Sequence, residues 1–146
     1  MKTYRRITGK VFAVSALALA IGSPVYADTA PVLTLGETIT VAAPGADSVD
    51  QTGCPGACPT LRSAIIYANS NGNAVTNNYD VINLGAGTHT LSLAGTGEDL
   101  AANGDLDIIE HVNIVGAGVA TTIIDGGGDP GIGERIITNH GFTVGI

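Results

Sequence analysis

The chain has 146 residues, 45% of them hydrophobic, with 21 Gly, two Cys and no Trp. All 13 acidic residues lie after Ala27, whereas four of the six basic ones lie before it, so residues 28–146 keep only Arg62 and Arg135 as fixed cations and carry −11 rather than −7. So few cations exclude nucleic-acid binding by phosphate neutralisation, which needs Lys and Arg against the backbone; the acidic surface suits solubility outside the cell and divalent cations.

The chain opens with Lys2, Arg5, Arg6 and Lys10, an apolar run from Val11 to Ile21, and Val25-Tyr26-Ala27 after the helix-breaking Gly22 and Pro24. This is the layout of a secretory signal peptide over residues 1–27. The apolar run is about half the roughly 20 residues that a membrane-crossing helix needs, so no retained membrane helix is expected. Arg5-Arg6 is followed by Ile7-Thr8-Gly9 and not by a bulky apolar pair, which favours the general secretory route over twin-arginine export. The product is expected to be exported, either extracellular or at the cell surface or outer membrane.

Residues 28–59 form a lead-in segment rich in Pro, Gly, Asp and Thr, within which Thr38-Ile39-Thr40-Val41 alternates as a short strand should. Cys54 and Cys58 sit in Cys-Pro-Gly-Ala-Cys, which in an exported chain reads as a local disulfide. Zinc wants four ligands where this motif has two, and the spacing is not the C-x-x-C of redox catalysts.

The helix signal follows at once. Thr60 is a suitable N-cap, and Leu61, Ala64, Ile65 and Ala68 recur at i, i+3, i+4 and i+7, one face of a helix over 61–68. Asn69 to Gly72 supplies the stop. A helix this short is marginal alone, so its apolar face must be buried against something.

From Tyr79 the chain is a series of short β runs separated by Gly, Asn and Asp: 80–84, 88–93, 106–108, 112–115, 122–125, 135–137 and 142–146. Two-residue hairpin turns of the Asn-Gly kind between matched strands are absent. Similar runs return at long spacing, Ile82 to Ile108 after 26 residues and Ile114 to Ile137 after 23. Such recurrence implies stacked coils of a β-solenoid, with a sandwich as the alternative. A solenoid also explains the scarcity of aromatics, because stacked Ile, Val and Leu fill its narrow interior. Residues 60–146 then comprise a helix capping the open first coil and the first coils themselves. A run ending at Ile146 without a polar closing element suggests an incomplete domain.

Several stretches together resemble the CSLREA-type domain that heads exported bacterial parallel β-helix proteins. Thr60-Leu61-Arg62-Ser63-Ala64-Ile65-Ile66-Tyr67-Ala68-Asn69 is similar to its helical signature, and Asp80-Val81-Ile82-Asn83-Leu84 with Gly87-Thr88-His89-Thr90-Leu91 to its first coil. Gly104-Asp105-Leu106-Asp107-Ile108 matches its Gly-Asp-Leu-Asp-Ile element, and residues 114–118 and 122–126 resemble its next coil. Pro59 separates Cys58 from the Thr-Leu-Arg run, and Ser63 stands where the family has an acidic residue. The resemblance implies an all-β, right-handed parallel β-helix of the pectate-lyase-like kind and says little about chemistry, since that scaffold hosts lyases, glycosidases, adhesins and inert stalks.

Asp105 and Asp107 are the sharpest chemical pair. At i and i+2 on a strand, with Leu106 and Ile108 inward, both carboxylates are expected to point outward, roughly 7 Å apart. They read as solvated or turn-capping acids, as a Ca²⁺ site helped by Glu98 or Asp99, or as the acid pair of an inverting glycosidase, whose carboxyls stand about 6.5–9.5 Å apart. His89, His111 and His140 have no metal-ligand spacing and read as exposed polar residues. No Gly-x-Ser-x-Gly elbow is present. Gly126-Gly127-Gly128-Asp129-Pro130-Gly131 has the composition of a calcium-binding nonapeptide but occurs once, where such sites need tandem copies; a glycine turn is the simpler reading.

No catalytic constellation or cofactor motif is evident, with Ca²⁺ the one cofactor the acids admit. The expected function is a non-catalytic exported module for surface display, adhesion or structure, with carbohydrate or a host or cell-surface component as partner. The alternative is the N-terminal part of a polysaccharide lyase or glycoside hydrolase on the same scaffold.

Overall fold

The computed structural model describes residues 34–41, 44–73, 77–127 and 135–146, all within the unit Pro31–Ile146. The expected signal peptide, the start of the lead-in segment and most of the glycine-rich run 126–131 lie outside the described residues.

The fold is mostly strands with one helix. In chain order these are β1 (Thr34–Val41), α1 (Leu61–Ser70), β2 (Asn78–Leu84), β3 (Gly87–Thr90), β4 (Leu106–Ile108), β5 (Val112–Gly116), β6 (Thr122–Asp125), β7 (Ile137–Asn139) and β8 (Val144–Gly145). Among the described residues every pairing is parallel. The strands form three sheets, ordered β1-β2-β5-β8, β3-β6 and β4-β7, and from β2 to β7 the chain visits the three in the same order twice. Parallel neighbours cannot be joined by a tight hairpin, which accounts for the missing turn signals.

The pairings correct the expected spacing. Ile82 lies beside Ile114, 32 residues on, and Leu106 beside Ile137, 31 residues on. His89 lies beside Ile124 and Val112 beside Val144, at separations of 35 and 32. Ile82 and Ile108 both face the interior but belong to different sheets, so matching them by residue type skipped part of the turn. Aliphatic side chains fill inward positions in all three sheets, so side-chain type alone does not tell the sheets apart.

Helix α1 forms for the expected reason and with one more device. Thr60 has extended backbone, its Oγ1 accepts from the Ser63 amide, and the Ser63 hydroxyl accepts from the Thr60 amide at 2.9 Å, closing a capping box. Ser63 thus does with a hydroxyl what an acidic side chain does at this position elsewhere. The helix runs to Ser70, with Asn71 as C-cap, two residues further than its apolar face implies. Leu61, Ala64, Ile65 and Ala68 are buried in one cluster with Ile39, Val41, Ile82, Leu84, Leu91, Leu106, Ile108, Val112 and Ile114.

The helix also completes backbone that the sheets leave unpaired. The Asn69 side chain accepts from the Ile109 amide and donates to the Asp107 carbonyl at 2.8 Å, as a neighbouring strand would for β4. Buried backbone groups left without partners are costly, so α1 supplies polar as well as apolar cover at that edge.

Other boundaries shift. β1 begins four residues before the expected strand and pairs with β2 across an irregularity between Leu35 and Thr38. β3 ends at Thr90, and the Ser92 and Leu93 amides turn instead to Asp47. Arg135 and Ile136 precede β7, and β8 covers only two residues. Cys54 and Cys58 are disulfide-bonded, as their spacing implied, and the loop they close is tied to β1 by Thr40 N–H to Pro55 carbonyl and Cys58 N–H to Thr40 carbonyl bonds.

Candidate functional site

The polar groups that the fold concentrates lie around β4 and the loop before it. Arg62, on the first turn of α1, is fully buried. Its Nε donates to both oxygens of Asp47 at 2.9 and 3.0 Å, while Nη1 and Nη2 donate to the carbonyls of Ala101 and Gly104 at 2.8 and 2.7 Å. Asp47 also accepts from the amides of Ser92 and Leu93. Burial raises the Asp47 carboxyl, but the Arg62 hydrogen bond, the two amides and the Arg62 charge outweigh it and hold it below its ordinary range. Arg62 therefore anchors the loop to the helix and the lead-in segment. No substrate-facing role is open to a guanidinium this enclosed.

Glu98 organises the same loop by accepting from the amides of Leu100 and Asn103, each at 2.9 Å. Burial acts to raise its carboxyl, but the Asn103, Leu100 and Ala102 amides and Arg62 hold it low. A carboxylate that accepts from these amides acts as a staple for the loop.

Loop 98–105 overlies β4, and this corrects the reading of the acid pair. Asp107 does not project into solvent: it is 2% exposed, between the fully buried Leu106 and Ile108. Its Oδ2 accepts from the Ala101 amide at 3.4 Å, and its Oδ1 lies 2.9 Å from His140 Nε2. Asp105, half-buried, accepts from the Thr138 hydroxyl one strand over. Period two puts Asp107 on the outer face correctly, but a loop from earlier in the chain covers that face. The pair is thus committed to packing between β4 and β7 and does not form an open two-acid cleft.

Of the three histidines expected to be exposed, His140 is exposed and His111 partly so, and only His89 is a correction. His89 is buried, with Nε2 3.1 Å from the Gly85 carbonyl, because it shares the inward face of its run with Leu91. His111 accepts from the Thr143 amide through Nδ1 at 3.0 Å and meets Phe142 edge to face. His140 pairs with Asp107, a partner 33 residues away in sequence. Asp99, Asp107 and His140 bring two carboxylate oxygens and one imidazole nitrogen within 4.8 Å of one another.

Asp80 went unnoticed in the sequence. Fully buried on β2, it accepts from the Glu37 amide at 2.7 Å and from the Asn71 side chain at the end of α1. A Cβ on Gly36 would stand 2.6 Å from its Oδ1, so only glycine lets β1 pass there. Alternation with Ile82 and Leu84 was the available signal: Asp80 falls on the same inward face.

A cavity of about 470 Å³ is lined by Leu84, Ile114, Gly116, Gly118, Val119, Thr122, Ile124 and Ile146. It is apolar and holds none of the titratable groups described above. No described helix is long and apolar enough to cross a membrane. Comparison with family models, with curated proteins and with solved structures finds no match to this chain.

Proposed function

We propose that the chain is the capped leading part of an exported right-handed parallel β-helix of the CSLREA-type family, serving surface display, adhesion or structure. The observation that carries the reading is the repeated order of three parallel sheets at near-constant spacing, 31 to 35 residues between partners from β2 onward. Stacking of this kind builds a rod whose sides are regular and whose ends need cover. The polar groups near β4 support the non-catalytic half: Arg62, Glu98 and Asp105 are bound to backbone or to neighbouring side chains. Asp28 onward is the exported product, and its acidic, lysine-free surface suits an extracellular carbohydrate or cell-surface partner.

The test is made on the chain expressed with its own leader. N-terminal sequencing of the external fraction is expected to begin at Asp28, and protease added to intact cells is expected to degrade the product. The purified product is expected to leave acidic and neutral polysaccharides intact, with or without Ca²⁺. Retention in the cytoplasm with an uncleaved start overturns export, and reproducible depolymerisation lost in Asp105→Asn establishes the lyase or hydrolase alternative.

A further inference from the structure

We propose that Asp99, Asp107 and His140 bind one divalent transition-metal ion of the zinc class, clamping the loop before β4, β4 itself and the segment after β7. The parallel register of β4 and β7 sets Ile108 beside Asn139, which delivers His140 to the Asp107 carboxylate. Asp99 reaches the same place from the loop that Glu98 and Arg62 hold in shape.

Geometry is the first support. Donor atoms at bonds of about 2.0–2.1 Å in a tetrahedral zinc shell stand about 3.3–3.4 Å apart. His140 Nε2 and Asp107 Oδ1 are 2.9 Å apart, and all three donors lie within 4.8 Å. The Asp99 carboxylate, exposed and without another partner among the described residues, closes the rest by turning about its own side chain.

The second support is the burial of Asp107. A carboxylate 2% exposed needs a compensating positive charge. No described Lys or Arg meets Asp107, Arg62 is engaged with Asp47, and the cation-forming group that does meet Asp107 is the His140 imidazole at 2.9 Å. Apart from one long amide contact, Asp107 has partners only inside the cluster, and its Oδ1 faces the other two donors. A metal ion held by both side chains supplies that charge in place of a proton on His140.

The donor set decides the metal class. Imidazole nitrogen with carboxylate oxygen suits zinc and its first-row neighbours, whereas Ca²⁺ takes six to eight oxygens. The cation expected from Asp105 and Asp107 is thus replaced by a different ion on a different set: Asp105 is turned to Thr138 and is not one of the three. Water fills the remaining positions, and the ion ties two successive passes of the chain together.

The experiment is a calorimetric titration of the chelator-stripped, exported chain with ZnCl₂, and separately with CaCl₂, alongside thermal unfolding. One Zn²⁺ per chain is expected, with the unfolding midpoint rising by roughly 5 °C at saturating metal. His140→Ala and Asp99→Asn, both at exposed positions, are each expected to unfold cooperatively without metal and to weaken Zn²⁺ at least about tenfold. Asp105→Asn is expected to keep the wild-type affinity. Absence of saturable Zn²⁺ binding overturns the proposal. So does Zn²⁺ binding that survives both substitutions, or Ca²⁺ binding that is tighter than Zn²⁺ and indifferent to His140→Ala.

Discussion

At the scale of single residues the molecule depends on a few buried polar groups that are fully engaged. Arg62 and Asp47 have side chains 0% and 1% exposed, so removing either charge strands the other. Asp47→Asn is expected to destabilise the fold by about 3–5 kcal/mol, measured as a lowered denaturant midpoint. Replacing both partners together, Arg62→Met with Asp47→Leu, is expected to cost less than either single change. The same pair sets an acid limit. The folded Asp47 carboxyl is held below its ordinary value of 3.8, so its contribution is complete above that value and is lost as pH falls through the lower folded one. Asp47→Asn is expected to flatten this arm of the stability–pH curve below about pH 4. Little of this is legible in the sequence. Arg62 could be placed on the helix, but its burial comes from loop 98–105, and Asp47 looks like one more acid in a polar segment. His89 and Asp80 were legible in principle, since each keeps period two with a neighbouring inward aliphatic.

At the scale of elements the helix was the clearest feature in the sequence, because N-cap, apolar face and stop all agreed. Its purpose emerges only from contacts. Ile65 enters the core between the sheets, while Asn69 serves as a stand-in strand for β4 through both of its amide atoms. Ile65→Ala is expected to cost about 2–5 kcal/mol by leaving a cavity. Asn69→Ala is expected to cost about 1–3 kcal/mol, since an amide and a carbonyl lose their partners. Thr60→Ala removes only the cap and is expected to cost about 1 kcal/mol. Thermal unfolding of the three variants checks the order. A larger loss for Thr60→Ala than for Ile65→Ala would mean that the helix is held by its own turn and not by what it covers. Strand boundaries were less legible, because side chains take over the amides that follow β3 and precede β8, and those partners lie 32 to 46 residues away in sequence.

At the scale of the whole described unit, the sequence carried the class of fold but not its register. Short aliphatic runs without hairpin turns implied parallel neighbours, and the pairings are parallel. The interval between partners was misread because each pass lays down three inward strands of similar composition, and nothing in Ile82 itself separates Ile108 from Ile114. The difference matters for chemistry, since only the true register brings His140 to Asp107 and Thr138 to Asp105. The most direct test of the account is therefore the set of interstrand nuclear Overhauser contacts in the isotopically labelled protein. The account predicts parallel-type backbone contacts between Ile82 and Ile114, His89 and Ile124, and Leu106 and Ile137. Close α-proton pairs typical of antiparallel neighbours, or pairing of Ile82 with Ile108, would contradict it.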